Sequence, residues 1–467
     1  MHPPFRFRAS IVLLGAVLGV AAAHCQSVQS QLTGAQKWNS ALTGGETARP
    51  ADDEALSHWW TVFNDPELSS LEERALKSNL DLRTAVANID EARANLLSAS
   101  GGRLPSVGFT GTSSGNRTST WNGGRYSSTN SAQFTASWEP DFFGSIRKNI
   151  ASNQANVEAA QEGLRSAMVT LTAEVATDYI ALRSYQAQIA VTQSNLAKYR
   201  ESYEMTLAKR ESGLAGDLDV AQARETVQSA EATIPALETN VQQTMNALAI
   251  LAAQKPGALD AELAEAKPIP VVPVEVAVGI PADLLRRRPD VKQAERRVAA
   301  QALQVGVAKA NLYPTFSLSG NFLFSAANLL NVFSPAALGS SIAGSIQQTI
   351  VNRRALKAQV KLQNAVLDQD EVAYESTLLG AVRDVENSLY AFGKDQIRRK
   401  SLSTAADSAE QAAEMSRELY ASGLRDFLTV VDSERTVLAA QNSVVQADAS
   451  VDNDLIALYK AMGGGWK

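Results

Sequence analysis

Two short segments in the first half of the chain alternate apolar and polar residues with a period of two. Val107 and Phe109 alternate with serine, glycine and threonine, which predicts a strand at about 104–114. The same alternation predicts a second strand at about 130–139, and the polar residues between the two should form a loop. Each strand has one apolar and one polar face. A soluble two-sided sheet and a water-filled membrane barrel both fit a single hairpin of this kind.

The period changes to seven after these strands, which indicates a long helix with coiled-coil packing. We expect it from about Ser145 to Lys209, roughly 100 Å at 1.5 Å per residue. It ends at Ser212-Gly213-Leu214, and another helix follows from about Leu218 to Ala253. A shorter helix at 66–100 precedes the strands. The apolar heptad positions of the long helix are Met168, Val175, Leu182, Ile189, Leu196 and Tyr203.

The second half of the chain repeats the first with an offset of about 210 residues, far longer than solenoid periods. Alternating residues predict strands at about 314–325 and 339–350, and a long helix follows from about Arg353. The segment Ser422 to Leu428 aligns without gaps on Ser212 to Leu218. The chain is therefore a duplicated, domain-sized unit.

The N-terminus has the organisation of a secretory signal, which we place at residues 1–24. Arg6 and Arg8 precede an apolar run too short to span a bilayer as a mature helix. Cleavage directly before Cys25 would expose it for lipidation, and an ordinary cut after small residues would leave it unmodified. The remaining divisions are an N-terminal arm (25–65), a first repeat (66–255), a proline-rich connector (256–281) and a second repeat (282–467).

Composition argues against several classes of function. The net charge of -6 and pI of about 5.4 give no reason to expect a nucleic-acid partner. No histidine follows His58 and Cys25 is the only cysteine, so we expect no metal site and no cofactor. No nucleophile elbow, zinc motif or phosphate loop indicates an enzyme. Four carboxylates lie in segments with a helical pattern, and the simplest interpretation is that they are solvent-exposed helix residues: Glu72, Glu73, Asp90 and Glu91.

Four strands cannot close a barrel around water, because even a filled barrel takes about eight. Unpaired strand edges are not tolerated in lipid, so a membrane role requires several copies. Three copies would supply twelve strands, and two a narrow barrel of eight. The helices would continue the barrel as a tube for passive conduction. The competing hypothesis is a secreted periplasmic coiled-coil structural or adaptor protein without a pore.

Four segments of the chain match the motifs of a known family: residues 138–144, 279–291, 294–296 and 313–316. They resemble the TolC-type outer-membrane efflux factors, in particular the NodT-like branch that serves resistance-nodulation-division pumps. The resemblance implies a mixed, mainly α fold: long coiled-coil-like helices in an α-barrel, with four transmembrane strands per chain in a trimeric twelve-stranded β-barrel. It also implies a homotrimer in the outer membrane that binds a periplasmic adaptor protein and an inner-membrane pump.

The resemblance also assigns a gate to the tip of the helical hairpins. By motif alignment, Asp219, Tyr420 and Arg425 match positions that hold neighbouring helices together, and Asp432 matches a constricting acidic ring. The alternative is that all four are ordinary solvated helix residues. The sequence departs from the family pattern at two places. His24 is unusual before a lipidated Cys25, and the segment 351–354 lacks the usual paired glycines where the fourth strand meets its helix.

Overall fold

The computed structural model describes residues 56–118, 124–270 and 287–466. The signal, Cys25, most of the arm and part of the 279–291 motif lie outside these ranges. The described chain is mainly helical, which confirms the predicted fold class. Among the described residues, none of the helices combines the length and apolar character needed to cross a bilayer. The elements are α1 (Pro66–Ser78), α2 (Leu80–Gly101), β1 (Ser106–Thr118), β2 (Arg125–Trp138), α3 (Ser145–Glu211), α4 (Asp217–Leu251), α5 (Asp260–Leu263), α6 (Pro289–Ala310), β3 (Thr315–Ala326), β4 (Leu338–Gln347), α7 (Arg353–Ala421) and α8 (Phe427–Ala461).

One compact unit contains the sheet and the helix segments next to it, from residues 87–161 and 293–376. The four strands are antiparallel in the order β1-β2-β3-β4. Their register places Phe109, Phe134 and Phe322 in one row, and the other apolar positions follow on the same face. The opposite face is mainly polar; for example, the hydroxyls of Ser317 and Ser345 lie 2.6 Å apart. The sheet therefore has the two-faced character that the alternation predicts.

The first hairpin is longer than its apolar alternation indicates. Residues predicted as a loop extend β1 to Thr118 and begin β2 at Arg125. The ladder continues because the polar side chains pair across it: the Ser113 hydroxyl donates to the Asn130 side-chain oxygen at 2.7 Å. Backbone pairing needs no apolar face, so the period-two signal underestimates these strands. The fourth strand is shorter than predicted and ends at Gln347.

Two asparagines shape the ends of helices. The predicted single helix at 66–100 is broken at Asn79, whose side-chain oxygen accepts the backbone N–H groups of Asp81 and Leu82 and so caps α2. Before α7, Asn352 has a φ of 63°, as Gly144 has a φ of 76° before α3. Asparagine tolerates this left-handed conformation, so it replaces glycine at the junction where the family pattern is missing.

The second compact unit contains the rest of the described helices and the main apolar core. Trp59 and Trp60 are buried in it, and the Trp59 ring stacks on Tyr459 with centroids 5.4 Å apart. The C-terminal tail closes this core, where the Gly465 N–H donates to the Leu56 carbonyl at 2.9 Å. The heptad positions predicted in α3 are all buried or half-buried, as coiled-coil packing requires.

Candidate functional site

The turn between α3 and α4 and the turn between α7 and α8 bring the ends of these four long helices together. Gly213 and Gly423 adopt positive φ values of 71° and 74° between α3 and α4 and between α7 and α8. Glycine takes this conformation without steric cost, which explains the two Ser-Gly-Leu motifs. A small apolar cluster holds the helix ends; it contains Ala223, Tyr420, Phe427, Val430 and Val431, with Tyr203 and Met205 packed against it. We call this region the tip.

Two of the four predicted gate residues lie close together at the tip. Asp219, in the first turn of α4, accepts the N–H of Gly216 at 3.0 Å. Tyr420, in the last turn of α7, is buried and its ring packs on Phe427 with centroids 5.2 Å apart. Burial raises the pKa of the Tyr420 hydroxyl, and the nearby charge of Asp219 raises it further. The phenol therefore stays protonated at neutral pH, and its oxygen has no hydrogen-bond partner among the described residues.

The other two gate residues are exposed and do not join this pair. Within the described part of the chain, Arg425 forms no ion pair, and the Asp432 carboxylate accepts no hydrogen bond. Between them, Asp426 caps α8: its carboxylate accepts the Thr429 N–H at 3.3 Å and the Thr429 hydroxyl at 2.5 Å. These bonds lower the pKa of Asp426. Thr429 is therefore part of a helix cap.

Lys209 is a tip residue that the sequence reasoning missed. Its ammonium donates to the carbonyls of Tyr420 and Ala421 at 2.5 and 3.1 Å, and lies 4.4 Å from the centre of the Tyr420 ring. A cation at the C-terminal carbonyls of α7 is favoured by the helix dipole. The sequence alone shows that Lys209 lies near the end of α3. Nothing in the sequence indicates that its side chain contacts a different helix.

A buried polar network lies about two turns from the tip, and the sequence reasoning missed it as well. Glu434 on α8 is 2% exposed; it accepts the Ser202 hydroxyl at 2.6 Å and pairs with Arg417 at 3.3 Å. The Tyr199 hydroxyl donates to the backbone carbonyl of Glu434 at 2.9 Å. Burial raises the pKa of Glu434, whereas Ser202 and Arg417 lower it. The network connects α3, α7 and α8.

A two-faced sheet with one apolar surface, in the same chain as two very long helical hairpins, is typical of a class of membrane-associated channel subunits. The family model described as "Outer membrane efflux protein" matches residues 71–254 and again residues 280–464. The chain belongs to this outer membrane efflux protein family, and its function is that of an outer-membrane efflux channel subunit with a helical part in the periplasm.

Individual proteins of this family are similar over nearly the whole chain. Nodulation protein T of Rhizobium leguminosarum bv. trifolii is 30% identical over 429 residues, covering 91% of this chain and 90% of that protein. The solvent efflux pump outer membrane protein SrpC of Pseudomonas putida is 31% identical over 432 residues, with coverages of 91% and 90%. The solved structure of the outer-membrane channel OprN has a TM-score of 0.85 and 32% identity, covering 91% of this chain and 96% of that chain.

Proposed function

We propose that three copies of this chain form one channel whose twelve strands close a barrel in the outer membrane. The observation that carries the proposal is the open sheet: β1 and β4 are its edges, and each pairs with one strand only of the described chain, so its outer side is unpaired. Unpaired backbone groups in lipid cost several kcal/mol each, so the edges must meet those of other copies. Four strands per chain make three copies the smallest number that leaves a wide polar lumen.

A matched pair of variants on β3 tests this arrangement. Phe322 lies on the apolar face and Asn321, its neighbour, on the polar face, where it accepts the Ser341 hydroxyl. Phe322→Arg puts a charge into lipid at a cost of about 2–4 kcal/mol, whereas Asn321→Arg puts it into water. We expect only Phe322→Arg to lose outer-membrane assembly, measured by heat-modifiable migration and membrane fractionation. Equal tolerance of both variants would contradict the barrel.

The number of copies is tested separately on the purified channel. Native mass spectrometry should give three chains, and planar bilayers should show single-channel conductance. A stable particle of two chains, or a trimer without conductance, would overturn the proposal. A secreted rod without a pore would give neither membrane recovery nor conductance.

The same proposal includes a gate at the tip, formed by Asp219, Tyr420, Arg425 and Asp432. Arg425 has no acidic partner in the described part of its own chain, so the latch that we propose pairs it with Asp219 of a neighbouring copy. Such a pair, partly sheltered between helices, is worth more than an exposed one. Asp432 is exposed, and threefold symmetry would repeat its carboxylate around a narrow lumen, where it would attract cations.

The proposed partners are a periplasmic adaptor protein and an inner-membrane pump of the resistance-nodulation-division class. A passive channel has no energy source, so transport requires a pump. Co-purification of the channel with the adaptor and pump encoded beside it would test the assembly.

We also propose acylation of Cys25, which lies outside the described residues. Mass spectrometry of the mature N-terminus would show the added acyl chains or a free thiol.

A further inference from the structure

The loop between β3 and β4 is unusual for the end of a membrane strand pair, because it carries no charge. From Asn311 to Asn352 the sequence has no Asp, Glu, Lys or Arg. The first hairpin differs, with Arg117 and Arg125 near its loop. Within the uncharged stretch, the outer loop (residues 327–337) exposes three large apolar side chains: Leu330 at 90%, Phe333 at 73% and Leu329 at 68%.

The outer loop is nevertheless well anchored. It contains two short 3-10 turns, Leu329–Asn331 and Pro335–Ala337, and the Asn328 side chain caps the first by accepting the Leu330 N–H at 3.1 Å. The Asn130 amide of β2 donates to the Ala327 carbonyl at 3.1 Å. Val332 is buried at 3% exposure. The exposed side chains are therefore held on a fixed backbone.

The contacts of Phe333 show on which face of the sheet the outer loop lies. Its ring packs on Phe324 of β3, with centroids 5.8 Å apart. Phe324 lies two residues after Phe322 and therefore on the same face of β3. The register pairs Phe322 with Phe134 on the apolar face. Phe333 therefore belongs to the apolar face and not to the polar face that would line the lumen.

The height of the apolar face leaves room for the outer loop within the membrane. From Phe316 to Phe324, β3 advances by 324 − 316 = 8 residues. At about 3.3 Å per residue this is roughly 26 Å, or about 20 Å of membrane thickness at a tilt near 40°. The apolar band of such barrels is about 25 Å tall, so the strand alone does not fill it. The Phe333 side chain packs on Phe324 and so extends the apolar face at the loop end of β3.

We propose that the outer loop is a lipid-contacting element, whose Leu329, Leu330 and Phe333 side chains lie among the acyl chains of the outer leaflet. The inference rests on the proposed function, because it requires the apolar face of the sheet to lie in the membrane. The outer loop is continuous with the apolar face of the sheet, carries no charge and is held by its own hydrogen bonds. These three features together favour lipid as the surroundings of its exposed side chains. Burying these three side chains in lipid also accounts for their exposure in the single chain.

Fluorescent labelling at single added cysteines tests the location of the loop. Leu330→Cys is the test position, Ile342→Cys on the apolar face of β4 is the lipid-facing control, and Ser345→Cys on the polar face is the water-facing control. Each variant carries a bimane label in trimers reconstituted into dioleoylphosphatidylcholine vesicles. Doxyl-labelled phosphatidylcholine probes lipid contact and iodide probes water contact. The parent chain, whose only cysteine is Cys25, gives the background.

We expect the label at Leu330→Cys to lose most of its fluorescence to the doxyl lipid, as at Ile342→Cys, and to resist iodide. Quenching by iodide but not by lipid would place the loop in water, for instance over the pore, and would overturn the inference. Protection from both quenchers would indicate contact with a second copy and would overturn it as well. If the label at Ile342→Cys is itself not quenched by lipid, the proposed barrel is wrong. Failure of the proposed barrel is thus distinguishable from failure of the inference about the outer loop.

Discussion

Buried carboxylates are the residues of this chain whose behaviour should depend most on pH. Asp452 on α8 is 2% exposed, and one of its oxygens has no hydrogen-bond partner among the described residues. Its pKa is raised to about 8, mainly by burial; the charge of Asp448 also raises the pKa, and Arg399 opposes the shift. The nearest charges belong to an ion pair, because Asp448 is bound to Arg399 of α7.

We predict that Asp452→Asn stabilises the chain at alkaline pH. The pKa of about 8 exceeds the value near 3.9 of an unfolded aspartate, so the folded chain binds the proton more tightly. Stability is therefore lost as the pH rises between these two values. At a pH of about 9 the variant should gain roughly 1–3 kcal/mol, because asparagine cannot ionise and so avoids the cost of an unpaired buried charge. Thermal unfolding followed by circular dichroism across pH measures this. The control is Asp407→Asn, an exposed residue of α7 that should change little.

A glycine in the C-terminal tail carries a second prediction. Gly465 has a φ of 98°, and a Cβ there would overlap the Thr172 hydroxyl and lie 3.3 Å from the Trp59 indole nitrogen. Gly465→Ala should therefore destabilise the core by about 2–4 kcal/mol, from backbone strain and overpacking together. Gly380→Ala is the matched control, because a Cβ there meets nothing within 4 Å. It should be neutral or stabilise α7 by up to about 1 kcal/mol. Denaturant unfolding compares the two, and equal effects would contradict the packing of the tail.

Glu72 shows how far residue-level prediction could go. The sequence reasoning treated it as solvated, but its side chain is fully buried and burial raises its pKa well above normal. Glu73, Asp90 and Glu91 are exposed as expected. The signal was present, because position 72 lies one helical turn from Leu68 on the buried side of α1. The prediction gave more weight to the carboxylate charge than to the helical period. In the folded chain, tertiary packing buries this side chain despite its charge.

At the scale of elements, the Glu434 network should stabilise the helices near the tip. Glu434→Ala leaves Arg417 partly buried without its partner and should cost about 3–5 kcal/mol. Combining Glu434→Met with Arg417→Met should cost much less, because no unpaired charge remains. The exposed pair of Arg435 and Glu225 is the control, and its removal should cost under about 1 kcal/mol. Unfolding free energies of the single and double variants provide the measurement. Equal losses at both pairs would show that burial is not the deciding factor.

Elements were the level at which the sequence was most informative. The turn at Gly213, its copy at Gly423 and the long helix from Ser145 are where the patterns predict them, because glycine and heptads are local signals. The predictions failed where polar side chains decide: Asn79 breaks a helix through its cap, and Ser113 continues a strand through its hydroxyl. Contacts between distant helices, such as Ser202 with Glu434, have no local signal at all.

For the whole channel, the proposed latch predicts a change in conductance. Arg425→Ser together with Tyr420→Phe removes the guanidinium that would bind Asp219 of the neighbouring copy and the phenol near Asp219 of the same chain, while the aromatic ring at position 420 still packs on Phe427. Single-channel conductance in planar bilayers should rise several-fold as the tip loosens. The control is Arg435→Ser, which removes an exposed arginine of α8 away from the tip. Unchanged conductance in the double variant would contradict the latch.

Asp432→Ala separates the proposed acidic ring from the proposed latch in the same recordings. It removes the repeated carboxylate without touching the Tyr420 cluster, so block by divalent cations should weaken while the resting conductance changes less. Full block in this variant would place the ring at other residues.

The open edges of the sheet also bear on how fast the channel can reach the membrane. Within one chain, β2 must find β3 across the whole of α3 to α6, from Trp138 to Leu318, and such distant pairing is slow. In the proposed channel the remaining edges are satisfied only when other copies arrive, so a lone chain would gain no stable place in the bilayer. Membrane insertion is therefore tied to encounter between chains. Its rate should rise more steeply than in proportion to the amount of newly exported protein, so a cell making little of it would have disproportionately few channels.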